Sequence, residues 1–196
     1  NVDGSLMVTD SGFNPGGIYT SNSSVSVTGS TFNGLMEMSG SHAGTYNLNS
    51  NLTVTNSSFS SPSGSGMRNV GGSATVTDCT FSGNLVAGNG GGMYNEGTTA
   101  KVTGCTFDGN SAGAYASSFS GGGMGNFNST VTVESCTFSN NFGREYGGAI
   151  FNSNSSVTVA HCVFSENHGP TSPFGGTGHG GAIYGSCNVT DCTFTG

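Results

Sequence analysis

The sequence predicts an all-β fold, a right-handed parallel β-helix (solenoid) of about eight rungs, and three observations carry that reading. A short apolar motif recurs eight times with its internal spacing unchanged. The distance between copies varies, and no stretch shows the i, i+3, i+4 apolar stripe of a helix. Gly, Ser, Thr and Asn supply 36, 31, 23 and 21 of the 196 residues, a composition suited to tight corners and stacked coils rather than to one bulky core.

The motif is an apolar residue, any residue, Val, a few polar residues, then Ser or Cys, a small residue and Phe. Its copies end at Phe13, Phe32, Phe59, Phe81, Phe107, Phe138, Phe164 and Phe194, and each Val stands five residues before its Phe. Successive Val positions lie 19, 27, 22, 26, 31, 26 and 30 residues apart. Constant segments with elastic spacing read as strands joined by loops. Apolar and polar positions alternate inside the motif, the period of a half-buried strand.

A second strand follows the glycine pairs, at Ile18-Tyr19, Met67-Arg68-Asn69, Met93-Tyr94-Asn95, Met124-Gly125-Asn126, Ile150-Phe151-Asn152 and Ile183-Tyr184. Parallel strands without helical crossovers exclude a βαβ sheet. Each strand must therefore pair with the same segment of the next coil, about 4.8 Å away, giving a rod roughly 35–40 Å long. The prevailing hand of strand crossovers makes it right-handed. The chain reads as one domain, 1–196, with degenerate repeats over 1–75 and regular ones over 76–196.

The regular repeats add two signatures. Phe-x-x-Asn appears at Phe81 to Asn84, Phe107 to Asn110, Phe138 to Asn141 and Phe164 to Asn167, and a Gly-Gly element follows each, leading into Met93, Met124, Ile150 and Ile183. This pairing resembles the repeats of chlamydial-type polymorphic outer-membrane proteins and related bacterial β-helix surface proteins. The resemblance implies a right-handed β-helix, secretion, and a role in adhesion or surface structure. It is weaker over 1–75, where Phe13, Phe32 and Phe59 lack the following Asn.

Stacking turns each repeated position into a column. The eight Phe are expected to form an aromatic ladder at one corner, each contact adding about 0.5–1.5 kcal/mol to the area buried. Asn84, Asn110, Asn141 and Asn167 are expected to form an amide ladder at a turn, since an amide both donates and accepts and Asn tolerates left-handed backbone. Cys79, Cys105, Cys136, Cys162 and Cys192 form a third column, with Ser11, Ser30 and Ser57 at the same position in the first rungs. Their spacing matches no zinc or haem pattern. They read as small buried hydrophobes, with disulfides between adjacent rungs as the alternative. Cys187 replaces an inward aliphatic residue.

Charge and side-chain chemistry narrow the function. Charged residues are 7% of the chain, which carries three Lys+Arg and a net charge of −7, so a nucleic-acid phosphate backbone is not a partner. No apolar run is long enough to cross a bilayer as a helix. Asp10, Asp78 and Asp191 share a turn column, but none of them neighbours another there, and the four His are scattered. Paired carboxylates at hydrolase spacing are not readable. No catalytic residue, cofactor or metal is expected, and the protein is not expected to be an enzyme.

The segments 111–120 and 168–179 are long. Insertions gather on the binding face of a solenoid, which makes Tyr115, Phe119, His168, Phe174 and His179 candidates for contact with a glycan or a host or cell-surface partner. Two outward Thr columns, one through Thr31, Thr80, Thr106 and Thr137 and the other through Thr53, Thr75, Thr132 and Thr158, raise ice binding as a further alternative. The absence of a starting Met points to a processed chain or a fragment. Ends without visible caps lead to the expectation of head-to-tail self-association into a filament. The expected role is an extracellular or cell-surface structural and adhesive solenoid, with a polysaccharide-binding or polysaccharide-cleaving β-helix as the alternative.

Overall fold

A computed structural model describes residues 4–14, 16–34, 36–38, 41–113, 120–169 and 180–196, of which 36–38, 41 and 42 are described as backbone only. Each coil lays down a five-residue strand, turns, lays down a short strand, turns again and enters a third before the next coil begins. Coil five runs Thr99–Thr103, Thr106–Asp108 and, after a longer loop, Met124–Phe127. Equivalent strands of successive coils pair in parallel into three long sheets. Sheet 1 holds eight strands from Ser5–Thr9 to Asn188–Thr190, and sheet 2 holds eight from Gly12–Phe13 to Thr193–Thr195. Sheet 3 carries seven stacked strands from Ile18–Ser21 to Ile183–Tyr184. A fourth, small sheet joins Leu85–Val86, Ser111–Ala112 and Phe142–Gly143. Six inner rungs of sheet 1 are paired on both sides, so the solenoid makes about six full turns, slightly fewer than the eight rungs counted from the motif.

Register is what makes the columns real. Val76 faces Val54 on one side and Val102 on the other, and the pairing continues through Val133 and Val159 to Val189. Phe81 faces Phe59 and Phe107. A one-residue slip would turn every apolar side chain outward. The alternation of the motif therefore fixes the pairing, and the sheet 1 strands of the inner coils show it as exposed–buried–exposed–buried along Thr130–Glu134. The core is the file of Val25, Leu52, Ala74, Ala100, Val131 and Val157 with the Val and Phe columns, closed across the coil by Met67, Met93, Met124 and Ile150.

The corners explain the small polar residues. Between sheets 1 and 2 the column Asp10, Gly29, Asn56, Asp78, Gly104, Ser135, His161 and Asp191 has φ between 45° and 64° at every level. Gly, Asn and Asp are the residues for which left-handed backbone costs least, so the scattered Asp residues of this column are corner formers. The turn after the Phe strand repeats the device at Gly83, Gly109, Asn140 and Glu166. Asn84, Asn110, Asn141 and Asn167 are therefore not the left-handed residues there; each follows one.

The glycines entering sheet 3 serve close approach. A Cβ on Gly122 would lie 2.5 Å from the Phe142 carbonyl oxygen and 2.6 Å from that of Gly148, all backbone with nowhere to retreat. At Gly83, φ is +61° but no atom lies within 4 Å of the added Cβ. Gly122→Ala should lower stability by more than about 3 kcal/mol, above the usual overpacking range. Gly83→Ala should cost about 1 kcal/mol, the left-handed penalty alone. Urea midpoints of the two variants test the contrast.

Two features depart from the sequence reading. Phe sits in the middle of the short sheet 2 strand, not at a corner, as Thr80–Ser82 and Thr106–Asp108 show. Sheet 3 also has a member without a preceding glycine pair, Ser41–Leu48, whose Thr45 stands in register between Ile18 and Met67. Its N-terminal half pairs with Met36–Met38, the one antiparallel contact among the described strands. That insertion lies between the motif copies ending at Phe32 and Phe59, within the residues read from the sequence as degenerate repeats.

Candidate functional site

The repeated columns are the most organised feature of the surface and interior alike. In the Phe column, ring centroids of neighbours lie 4.6–5.0 Å apart with interplanar angles of 2–8°, from Phe13 through to Phe194. The rings of Phe32, Phe59, Phe81, Phe107 and Phe138 have no exposed surface. The predicted Asn column is a chain of amides. Asn84 Nδ2 donates to Asn110 Oδ1 at 2.7 Å, Asn110 to Asn141 and Asn141 to Asn167 at 2.9 Å each. Each Nδ2 also donates to a Phe carbonyl of the rung before, such as Asn110 to Phe81 at 3.0 Å.

The Cys column is hydrogen-bonded in the manner of the Ser residues it replaces. Ser11 N–H donates to Ser30 Oγ and Ser30 N–H to Ser57 Oγ. In the same way Cys79, Cys105, Cys136 and Cys162 each donate N–H to the Sγ of the next rung at 3.3–3.4 Å. Each thiol donates in turn to the carbonyl two residues back, as Cys105 does to Thr103 at 3.3 Å. These are free thiols, and they act as hydrogen-bonding turn residues as well as apolar filler.

The surroundings of Cys79, Cys105 and Cys136 resist ionisation, whereas the Cys136 thiol lowers the pKa of Cys162. The Cys136 thiol beside it and burial push Cys105 up to about 12, against lowering by Cys79. At Cys136 the Cys105 thiol lowers the pKa, but the Cys162 thiol and burial prevail and carry it to about 12. Both folded values exceed the ordinary 9.0, so the folded state binds these protons more tightly than the unfolded chain. That contribution is whole below pH 9 and is lost as pH rises toward 12. Urea midpoints should therefore fall across pH 9–12, and the double variant Cys105→Ser, Cys136→Ser should flatten the fall.

Two columns were not singled out from the sequence. Asn47, Asn69, Asn95, Asn126 and Asn152 form a second, interior amide ladder headed by Thr20, every link 2.9 Å long. Between these inward positions the intervening residues point outward. They build a stripe along sheet 3: Tyr19 on Tyr46 at 5.5 Å, Arg68 over Tyr46 and Tyr94 at 5.7 and 4.0 Å, Tyr94 on Phe127 at 5.3 Å, and Phe151 on Tyr184 at 5.7 Å. Gly125 leaves a gap at its level, and Phe127, two residues on, folds across to meet Phe151 at 5.3 Å. Arg68 pairs with Glu96 at 3.6 Å, and Tyr94 Oη donates to Glu96 at 2.9 Å. Burial and that carboxylate push the Tyr94 phenol up to about 12. The signal was present in the sequence as aliphatic–x–Asn: the period of two places aliphatic and Asn inward together and the residue between them outward.

Of the loop candidates, His168 is exposed and bridges its backbone to Phe142 and Gly143, extending the small fourth sheet by one level. Tyr115, Phe119, Phe174 and His179 lie outside the described residues. Among the described residues no group of three or more His, Cys, Asp and Glu is arranged to hold a metal, and no helix is long and apolar enough to cross a membrane. Elsewhere, Ser139 Oγ at 2.6 Å and Asn140 Nδ2 at 2.9 Å hold the Asp108 carboxylate below its usual range. His161 and Asp191, adjacent at the first corner, approach to 3.9 Å. The outward column of sheet 1 is interrupted by Lys101, which lies in register between Thr75 and Thr132.

Parallel strands in continuous register, inward ladders and left-handed corners define a parallel β-solenoid. The chain belongs to the right-handed β-helix family, since the family model described as "Right handed beta helix region" matches residues 16–196. No curated protein and no solved structure matches it.

Proposed function

We propose that the protein is a structural and adhesive solenoid of an extracellular or cell-surface setting, self-associating along its axis. The single observation that supports the reading is how its reactive residue types are used. Asn, Ser and Cys, the groups that carry chemistry in many sites, are here committed column by column to the neighbouring rung. Stability built from nearest-neighbour contacts suits an extended scaffold. Low charge and a surface of Ser, Thr and Asn suit the same role, as does the likeness of the Phe-x-x-Asn and Gly-Gly elements to surface-protein repeats.

Negative-stain micrographs and sedimentation of the native material test the proposal. Rods longer than one solenoid are the expected result. Monodisperse compact particles at high concentration would refute it.

A further inference from the structure

We infer that the shortened corner at Gly185-Ser186 makes a binding site for a monovalent carboxylate, held by the N–H groups of Asn154 and Ser155 and by Asn152 Nδ2. The site is independent of whether the rod adheres or self-associates. Register defines the shortening. Gly125 pairs with Phe151 and Thr132 with Thr158, and six residues on each level, 126–131 and 152–157, join sheet 3 to sheet 1. One level on, Phe151 pairs with Tyr184 and Thr158 with Asn188, so three residues, 185–187, make the same corner.

A full corner supplies acceptors to the corner before it. Asn126 Nδ2 donates to Asn152 Oδ1 at 2.9 Å, the Asn128 N–H to Ser153 O at 3.0 Å and the Ser129 N–H to Ser155 Oγ at 3.1 Å. The equivalent donors of the next level are Asn152 Nδ2 and the N–H groups of Asn154 and Ser155. Gly185 follows Asn152 in the ladder, and a Cβ there would run into the Asn152 carbonyl oxygen, so no side chain continues the file. Asn152 is 6% exposed, and its Nδ2 is buried without a partner. The Asn154 and Ser155 N–H groups have no acceptor among the described residues. These residues line a recess between 152–156 and Gly185-Ser186.

The preceding corner indicates the occupant. Its two acceptors for backbone N–H, Ser153 O and Ser155 Oγ, lie 2.9 Å apart, a spacing that the two oxygens of one carboxylate approach. Successive N–H groups at a turn make a concavity for anions, and Asn154 turns with φ 49°. Among the described residues no charged side chain lines the recess, and a net charge of −7 opposes a dianion more than a monoanion. A neutral amide brings one acceptor oxygen to two N–H groups and sets its own donors against them.

Nuclear magnetic resonance titration of the intact chain with acetate, acetamide and sulfate, at pH 7 and constant ionic strength, tests the site. Acetate should shift the N–H signals of Asn154 and Ser155 and the side-chain amide of Asn152 along one saturable curve. The signals of Asn128, Ser129 and the Asn126 side chain, whose acceptors are in place, should stay still. Acetamide should bind at least about tenfold more weakly, and sulfate more weakly than acetate. Asn152→Asp keeps the acceptor for Asn126 Nδ2 but sets a like charge at the inner donor, and should weaken acetate by about tenfold or more. Lengthening the corner by three residues between Gly185 and Ser186 should abolish the response, and an unmoved Asn126 side-chain signal reports that each variant is folded. Shifts in the unaltered chain that do not saturate, equal shifts at Asn128 and Ser129, or acetamide or sulfate matching acetate would overturn the assignment.

Discussion

Phe107→Ala is expected to cost about 3–5 kcal/mol, the range for truncating a fully buried aromatic ring. The ring has no exposed surface and stacks on Phe81 at 4.7 Å and Phe138 at 4.6 Å. Removing it opens a cavity between two neighbours that cannot close together, because strand pairing on either side fixes the rung spacing. The same substitution at Phe13, which meets only Phe32 and is partly exposed, should cost less than half as much. Urea unfolding followed by circular dichroism checks both. A cost at Phe107 no larger than at Phe13 would mean that the ladder does not carry the fold. The loss should also broaden the transition, since breaking one interface of a solenoid uncouples the coils on either side.

Asn110→Ala is expected to be comparably damaging although it removes little apolar area. The Asn110 side chain accepts from the backbone N–H of Asn84 at 3.2 Å and from its Nδ2, and donates to Phe81 O and Asn141 Oδ1. Alanine leaves the Asn84 N–H without its acceptor and takes one bond each from Asn84 Nδ2, which keeps Phe59 O, and from Asn141 Oδ1, which keeps the Asn110 N–H; buried groups left short cost about 1–3 kcal/mol each, though not additively. A loss above about 3 kcal/mol is the expected outcome. Asn110→Asp separates hydrogen bonding from shape. The carboxylate keeps both acceptors but turns two donated bonds into repulsions toward Phe81 O and Asn141 Oδ1. Its folded pKa must then exceed the unfolded 3.9, so stability should be recovered as pH falls below that value and lost as pH rises above it. Unfolding midpoints of wild type and variant at pH 3 and pH 7 measure the difference.

Most of the architecture was legible in the sequence because a solenoid writes its contacts as repetition. The unvarying Val-to-Phe interval sets sheets 1 and 2, and the Asn after Phe81, Phe107, Phe138 and Phe164 marks an amide column. What escaped detection lay where the sequence changes while the geometry does not. Thr45 occupies the level of Met67 without resembling it, so strand Ser41–Leu48 had no marker, and its hairpin with Met36–Met38 had no counterpart in other coils. The outward stripe was hidden for a related reason. Tyr, Arg, Tyr, Gly and Phe succeed one another at one position, and Phe127 completes the stripe from a different one. Repetition exposes a column of like residues, whereas a column of unlike residues becomes visible only when the rungs are laid over each other.

Both amide ladders and the thiol column share a direction. Every amide-to-amide link in them, and every N–H-to-thiol link, runs from a donor on one rung to an acceptor on the rung that follows in the chain. Added to the common orientation of the parallel strands, this makes the rod vectorial, with acceptors offered at its early end and donors at its late end. Two such rods meeting like end to like end would oppose donor with donor. The bonding pattern of one coil thus already dictates that any longer object made from it has an arrow, and two chemically different tips.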